Sequence, residues 1–279
     1  MTYNPQPFDQ EGQLKMSSEP RYRPVPLHRR WMNDLVHFGK KSHVMGYAWR
    51  INIAPLVAAR AAAQLPIGWT AIWMKALALV GQRRAELRTA YLPFPWARLY
   101  LHPDSVLTVV IERAWRGAAA LFFEQFAAPD KMPLTELDEA LRKLRQVPVE
   151  DVGSFRRLIR FSRPPVLVRR LIWSFALYWS GPLRARYIGT AGINPFPTGG
   201  TITQSAMPAA FMLYFGLVEP SGEAPIQIFY DHRIMDGIEL YRILRDLEAT
   251  MNRDIAAELR QHATDSAQGP SVPLAPAAE

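Results

Sequence analysis

The most constraining feature of the sequence is a ten-residue alternation of large apolar residues with small or polar ones, VMGYAWRINI at 44–53. A period of two over this length predicts a β-strand. Apolar residues recur at helical spacing on both sides of it, which predicts helices at 26–41 and 69–83. A strand enclosed by helices in this way favours an α/β fold.

The remaining patterns add several adjacent strands to this arrangement. Further helices are expected after Pro55, near 134–144 and after Gly237, and further strands at 98–101, 105–112, 185–190, 200–204, 211–217 and 225–230. Adjacent strands argue against an all-parallel sheet, so we expect a two-layer sandwich in which helices pack on a mixed sheet. One folded domain is expected at 23–258, between flexible polar tails at 1–22 and 259–279.

Composition limits the chemistry of the protein. The 279 residues include no cysteine, which excludes disulfides, thiolate nucleophiles and cysteine-ligated zinc, and the histidines show no spacing typical of a metal site. The net charge of +8 suits anionic partners such as coenzyme A or lipid head groups, but no nucleic-acid-binding motif accompanies the arginines. The chain shows no secretory signal and no spanning apolar run, so we expect a cytoplasmic protein.

A strand-to-helix junction, YDHRIMDGIELYRIL at 230–244, contains the strongest candidate for a reactive side chain. In one interpretation, Asp236 and Glu239 form a capping box for the helix, and His232 is an ordinary polar residue of the turn. In the other, the imidazole of His232 acts as a base, because the reference pKa of a histidine side chain, about 6.5, lies near neutrality. Since the sequence lacks a serine elbow, the histidine would activate a nucleophile of the substrate.

The motif DHRIMDG resembles the signature of the dihydrolipoamide acyltransferase catalytic domain, and it is also similar to the His-x-x-x-Asp-Gly of chloramphenicol acetyltransferase. The segments PLHRRWMNDLVHFGKKSH, TAIWMKALALVGQRRAELR and YIGTAGINPF resemble other parts of that 2-oxoacid dehydrogenase acyltransferase family. Together they extend over most of 26–258. The resemblance implies the chloramphenicol acetyltransferase-like fold, a two-layer α/β sandwich.

The resemblance also implies a reaction. The protein would move an acyl group from a thioester, acyl-coenzyme A, to a thiol or hydroxyl acceptor, with His232 as the general base. It would need no metal and no covalently bound cofactor. Asp236 would hold the turn, aided by Gly237 and by Arg29 or Arg30. A homotrimer would bring His232 of one chain to Thr190 of its neighbour.

The sequence departs from the family at the serine that stabilises the oxyanion, whose place is taken by Gly189. Thr190 is our first substitute for this donor, and Ser205 is the alternative. The chain begins close to the catalytic domain, so we expect a standalone form without a lipoyl domain, whose acceptor is a lipoyl group on another protein or a lipid. The competing hypothesis is a catalytically impaired scaffold, an assembly component of a 2-oxoacid dehydrogenase-type complex.

A basic and apolar insertion at 154–186 has no counterpart in the family. Arginines bracket its uncharged run LIWSFALYWSGPL, which is too short to span a bilayer. Its aromatic residues suit the boundary between water and lipid, so one hypothesis is peripheral membrane contact through 164–182. The other hypothesis is a helix buried against the core or against a neighbouring subunit.

Overall fold

The structure is a computed structural model that describes residues 24–40, 44–63, 67–196 and 200–268. The tail predicted at 1–22 lies outside the described residues, as does the end of the chain from 269 to 279. One continuous apolar core runs through the described part of the chain.

Helices and strands alternate along much of the chain. The helices are α1 (Leu27–Gly39), α2 (Ala54–Ala62), α3 (Trp69–Arg83), α4 (Leu134–Gln146), α5 (Gly153–Phe161), α6 (Val166–Tyr178), α7 (Gly181–Ile188), α8 (Gly237–Thr250) and α9 (Ala256–Gln268). The strands are β1 (Val44–Asn52), β2 (Thr89–Leu92), β3 (Arg98–Leu101), β4 (Val106–Trp115), β5 (Ala118–Ala127), β6 (Ala191–Pro195), β7 (Phe211–Phe215) and β8 (Glu223–Asp231). A π-helical turn, Met251–Ile255, connects α8 to α9.

Six of the strands form one mixed sheet, in the order β1-β8-β7-β6-β4-β5. The pairs β4–β6 and β6–β7 are parallel, and the other neighbours are antiparallel. Strands β2 and β3 form a separate antiparallel pair. The predicted α/β architecture, a mixed sheet with helices packed on it, is therefore confirmed.

The central helix α3 is the most deeply buried element. Its Trp73 is fully buried and stacks on Phe215 of β7, with ring centroids 5.3 Å apart. The Lys75 ammonium is also buried and lies 2.7 Å from a carboxylate oxygen of Glu258 on α9. Burial of an aromatic side chain of this kind contributes roughly 1.5–3 kcal/mol to stability. The contact between Lys75 and Glu258 joins α9 to the core. Helix α9 continues to Gln268, whereas the sequence predicted that the folded region ends at residue 258.

The strand predicted at 185–190 is wrong, because these residues belong largely to α7. Ser180 caps that helix, its Oγ accepting a hydrogen bond from the Leu183 amide at 3.3 Å, and Pro182 lies in the first turn. A capping serine followed by proline is a strong start signal for a helix. The helix ends at Gly189, whose φ of +82° favours glycine, and strand β6 begins only at Ala191.

The strand predicted at 200–204 is also wrong. The backbone amide of Ile202 donates to the side-chain oxygen of Gln227 at 2.6 Å. The side-chain amide of Gln227 donates to the Gly200 carbonyl at 2.7 Å. These backbone groups therefore bond to a side chain on β8, so the segment belongs to no strand. In contrast, strand β5 was not predicted, although it pairs with β4 over ten residues.

The insertion forms α5, α6 and α7. Helix α5 packs its Phe155 on Phe122 of β5, with centroids 4.6 Å apart. Helix α6 is tied to α1 by a buried ion pair in which Arg169 donates to both carboxylate oxygens of Asp34, at 2.7 and 3.2 Å. The insertion is thus part of the folded domain. None of the helices in the described residues has the length and apolar content needed to cross a membrane.

Candidate active site

The candidate site is the turn between β8 and α8. Strand β8 ends at Asp231, whose amide donates to the Ala210 carbonyl at 2.9 Å. The carbonyl of Asp231 then accepts from the amides of Ile234 and Met235, at 2.9 and 3.3 Å. These bonds close the turn on the end of a central strand, so that the residues between 231 and 236 are displayed in a fixed conformation.

The base of the turn is an ion pair between two residues of the DHRIMDG motif, of which only Asp231 is buried. The Asp231 side chain is about 1% exposed and accepts from Arg233 through Nε at 2.8 Å and Nη2 at 2.6 Å. These hydrogen bonds raise the pKa of Arg233 above its ordinary value. The guanidinium also lies 4.2 Å from the ring centre of Tyr91 on β2. A bidentate pair with an arginine offsets the cost of removing the Asp231 charge from water.

A second arginine, from the insertion, is buried close enough to Asp231 to feel its charge. Arg184 of α7 donates to the Leu177 and Pro208 carbonyls, at 3.1 and 2.6 Å, and is almost fully buried. Burial lowers the pKa of this guanidinium to about 10, and the charge of Asp231 opposes that shift. Helix α7 therefore connects the insertion to the back of the candidate site.

The orientation of His232 follows from its hydrogen bonds. Its Nδ1 lies 3.1 Å from the Met235 carbonyl oxygen and 3.1 Å from Oδ1 of Asp236. Both neighbours are acceptors, so the proton of a neutral imidazole is placed on Nδ1, and Nε2 keeps its lone pair. The side chain is half exposed. This arrangement leaves an oriented base whose reactive nitrogen can accept a proton.

Asp236 is both the cap of α8 and a neighbour of His232. It forms a capping box with Glu239, whose carboxylate accepts from the Asp236 amide at 3.0 Å, and it also contacts His232. Gly237 begins α8, and a Cβ added there would meet no atom within 4 Å. In the described part of the chain, neither Arg29 nor Arg30 forms an ion pair with Asp236, and Arg30 donates to the Val25 carbonyl.

The two hydroxyl groups predicted as oxyanion donors are both buried and occupied. Thr190 Oγ1 accepts from the Val106 amide at 3.1 Å and lies 3.2 Å from the Val106 carbonyl. Ser205 Oγ lies 3.1 Å from the Tyr214 hydroxyl. Thr190 lies just before β6 and His232 just after β8, at the same end of the sheet. Strand β7 separates these two strands. The structure therefore does not bring either hydroxyl to His232 within one chain.

A serine would not fit at Gly189, the position assigned to the missing oxyanion donor. The glycine has a φ of +82°, and a Cβ there would lie 2.7 Å from the Val106 carbonyl oxygen. Asn194, near the end of β6 in the same resembling segment, is partly exposed. Its side chain has no hydrogen-bond partner within the residues that the structure describes. Sequence patterning did not single it out, since an asparagine at a strand end is usually a turn residue.

Other residues of the site were missed because they are distant in sequence. The tertiary fold brings Tyr91 to Arg233 and brings Arg184 close to Asp231. Neither Tyr91 nor Arg184 lies in a recognisable motif. Within the described residues, no group of three or more histidine, aspartate or glutamate side chains converges in a way that could hold a metal ion.

Comparison with known proteins identifies the fold. No protein-family model matches the sequence. No curated protein matches it either. Solved structures do match, and they include a probable dihydrolipoamide acetyltransferase from Listeria monocytogenes 4b F2365, which is 12% identical over 85% of this chain and 96% of its own, with a TM-score of 0.56.

Two further structures agree with this one. The cubic core of a pyruvate dehydrogenase multienzyme complex is 15% identical over 88% of this chain and 98% of its own, with a TM-score of 0.57. The dihydrolipoamide acetyltransferase of Azotobacter vinelandii is 14% identical over 86% and 94%, with a TM-score of 0.56. The chain therefore has the fold of these three structures, which confirms the dihydrolipoamide acyltransferase-like fold that the sequence resemblance implied.

Proposed function

We propose that the protein is an acyltransferase that moves an acyl group from acyl-coenzyme A to a thiol or hydroxyl acceptor, with His232 as the general base. The observation that carries the proposal is the fixed Nδ1 of His232, which leaves Nε2 free on a half-exposed ring. The fold and the DHRIMDG motif support the same conclusion. No bound cofactor is required, since the coenzyme is a substrate.

The reaction follows from this geometry. Nε2 takes the proton of the acceptor S–H or O–H as the acceptor attacks the thioester carbonyl, and a tetrahedral oxyanion forms. When the intermediate collapses, the C–S bond to coenzyme A breaks, and the departing thiolate takes the proton back from Nε2. The Asp236 carboxylate, 3.1 Å from Nδ1, stabilises the imidazolium formed between these steps.

The spacing of His232 and Asp236 has a parallel in one of the structures of the same fold. In the Azotobacter vinelandii enzyme, a serine, a histidine and an asparagine were investigated for their roles in the catalytic mechanism, and the asparagine follows the histidine by four residues. Asp236 follows His232 by the same interval. We infer that Asp236 occupies the place of that asparagine and adds a negative charge to it.

We propose Asn194, in place of Thr190 or Ser205, as the donor to the oxyanion. An asparagine amide is a suitable donor for this charge. In the sheet register, Asn194 of β6 pairs with Tyr214 of β7, and Tyr214 pairs with Gln227 of β8. Gln227 precedes His232 by five residues, so Asn194 lies roughly 15 Å from His232 along the strand direction. One chain cannot bring the two side chains to the same carbonyl. The site therefore requires His232 of one copy and Asn194 of another.

Such a shared site implies a homo-oligomer, and we propose the homotrimer that the sequence resemblance implied. The edge strand β1 supports self-association, because its Met45 and Tyr47 are 49% and 43% exposed. Exposed apolar side chains on an unpaired sheet edge are typical of an interface. The acceptor would be a lipoyl group of another protein or a lipid, and the latter suits peripheral membrane contact through 164–182.

The decisive experiment measures release of free coenzyme A from a panel of acyl-coenzymes A, with lipoamide or a lipid alcohol as acceptor. We expect turnover by the wild type and a loss of about 100- to 10,000-fold in His232→Ala. His262→Ala on α9 is the matched control and should retain full turnover. Equal turnover of His232→Ala and the wild type would exclude the proposed role.

A second candidate function is favoured by one observation, the burial of both hydroxyls predicted as oxyanion donors. A chain that kept the fold without an oxyanion donor would be an assembly component of a 2-oxoacid dehydrogenase-type complex. In that case, a folded oligomer would release no coenzyme A across the whole panel. His232→Ala would then leave its assembly unchanged.

A further inference from the structure

Helix α6 of the insertion buries an arginine and exposes a row of large apolar side chains. Arg169 is about 7% exposed and is paired with Asp34, whereas Leu167, Leu171 and Phe175 are 79%, 74% and 55% exposed. These three follow one another at intervals of four and share one face. A helix on the surface of a protein normally has the opposite arrangement. This apolar face is therefore built to contact something other than water.

A groove of about 450 Å³ opens beside this face, between α6 and its neighbours in the insertion. Its lining is apolar and includes Leu171 and Phe175 from α6, Phe161 from α5 and Tyr187 from α7. Its volume lies within the range of about 300–1,000 Å³ that is usual for sites that bind small ligands. The groove thus suits an elongated apolar group such as an acyl chain.

A second cleft, of about 690 Å³, adjoins the first one and shares Phe161 and Tyr187 with it. Its other lining residues include Arg156, Arg157 and Arg160, all exposed on α5. Helix α5 anchors its opposite face in the core, so the three guanidinium groups are fixed on one side. None of the three forms an ion pair within the part of the chain that the structure describes. The cleft therefore places three positive charges next to an apolar groove.

We propose that the two adjoining clefts bind an anionic phospholipid at the surface of a bilayer, with its phosphate on Arg156, Arg157 and Arg160 and an acyl chain in the groove. Guanidinium groups match the geometry of phosphate oxygens, and each basic residue near an anionic surface adds to the attraction. The exposed face of α6 enters the boundary between head groups and acyl chains, where tryptophans such as the half-exposed Trp179 are favoured.

Charge decides between a bilayer and a second copy of the chain as the occupant. The chain carries a net charge of +8, and the apolar face lies next to the unpaired arginines. A second copy docked through the same surface would bring two arginine clusters together, which is unfavourable. An anionic bilayer neutralises the cluster and covers the apolar face in the same contact.

The lipid site also has a structural connection to the catalytic turn. Tyr187 and Leu183 of α7 line the groove, while Arg184 of the same helix is buried close enough to Asp231 for that carboxylate to affect its pKa. Helix α7 thus contributes residues both to the groove and to the surroundings of Asp231. Lipid binding itself does not depend on the proposed acyl transfer, and it is measured without any turnover.

The test is flotation of the full chain with vesicles of neutral phosphatidylcholine or with vesicles that also contain about 30% phosphatidylglycerol, an anionic lipid. We expect binding to the anionic vesicles that weakens as salt is added, and much weaker binding to the neutral ones. In the arginine variant, affinity for anionic vesicles should fall by about tenfold or more. This variant combines Arg156→Gln, Arg157→Gln and Arg160→Gln.

The matched control removes the same charge from α8, the π-helical turn after it and α9. It should bind within about twofold of the wild type, because only arginines close to the bilayer contribute. It combines Arg242→Gln, Arg253→Gln and Arg260→Gln, all exposed. The pair Leu171→Ser and Phe175→Ser removes apolar contact without a change of charge. It should also weaken binding, because both side chains are exposed and the fold does not depend on them.

Several results would overturn the proposal. One is the absence of wild-type binding to anionic vesicles, and another is an equal loss of binding in the control triple variant. Release by inorganic phosphate, beyond that caused by chloride at equal ionic strength, would assign the cleft to a free anion. A smaller oligomer of the Leu171→Ser and Phe175→Ser variant, observed without vesicles by light scattering, would assign the face to contact between copies.

Discussion

The Nδ1 atom of His232 and the Oδ1 atom of Asp236 lie 3.1 Å apart across the turn that precedes α8. The same carboxylate belongs to the capping box of that helix, whose positive end favours a negative charge. The conformation of the helix terminus and the orientation of the imidazole therefore depend on one side chain. This explains how a residue identified as a helix cap can also belong to the candidate active site.

Substitution of Asp236 separates these two roles. Asp236→Asn keeps a good N-cap and an oxygen that can accept from Nδ1, but it removes the charge. We expect kcat/KM to fall by about tenfold or less, since the Met235 carbonyl still holds the ring and an exposed carboxylate stabilises the imidazolium only modestly. Asp236→Ala also loses the cap, so its free energy of unfolding should fall by about 1 kcal/mol.

Steady-state kinetics and urea unfolding of both variants check this prediction, with His232→Ala as the reference for complete loss of the base. A fall in the Asp236→Asn variant as large as that in His232→Ala would mean that the carboxylate has a direct role in proton transfer.

The oxyanion donor is tested by a comparison of two residues from the same segment. Asn194→Ala should lower kcat by about 100- to 1,000-fold and leave the fold unchanged, because the partly exposed amide has no structural partner in the described chain. Thr190→Val should act on stability instead. It removes the hydrogen bond that the Val106 amide donates to Oγ1, at a cost of about 1–3 kcal/mol.

Single-turnover rates and unfolding curves distinguish the two effects. A large loss of rate in a fully folded Thr190→Val variant, together with normal activity of Asn194→Ala, would restore Thr190 as the donor. In that case the hydroxyl would have to leave Val106 when copies of the chain associate.

The parts of the fold that the sequence predicted correctly are those in which local periodicity alone decides. Helix α3 was predicted at 69–83 and is observed at Trp69–Arg83, and strand β3 was predicted at 98–101 and is observed at Arg98–Leu101. Where tertiary contacts decide, the predictions were wrong or missing. The extended segment at 200–204 resembles a strand locally, but the side chain of Gln227 takes its backbone groups.

The site could be predicted only to the extent of its local motif. His232 and Asp236 contact each other over four residues, so their relationship is encoded in one short stretch. Arg184 and Tyr91 reach the same turn from positions far along the chain, and no local pattern indicates this. The burial of Thr190 likewise depends on pairing with Val106, which lies 84 residues away.

The buried ion pair between Asp34 and Arg169 should make the insertion an integral part of the domain. Asp34→Asn leaves a buried guanidinium without its counter-charge, so the free energy of unfolding should fall by about 3–5 kcal/mol. Asp104→Asn is the matched control, because its ion pair with Lys131 is exposed to solvent and should contribute little to stability. Urea denaturation checks both. A loss in Asp34→Asn no larger than that in the control would mean that α6 is held by its apolar contacts alone.

The Glu124 carboxyl, on β5 next to α5, should make the free energy of unfolding depend on pH. Burial raises its pKa above the ordinary value of 4.5, although the Ser154 hydroxyl and the charge of Arg157 oppose the shift. A raised carboxyl pKa destabilises the folded state at pH values above it and has no effect well below 4.5. Glu124→Gln removes the charge and keeps an acceptor for Ser154, so its free energy of unfolding should exceed that of the wild type near neutral pH, with the difference shrinking towards pH 4.5. Glu139→Gln, on the exposed side of α4, should show no such trend in the same unfolding series. A gain from Glu124→Gln that did not change with pH would mean that packing, and not the buried charge, limits stability here.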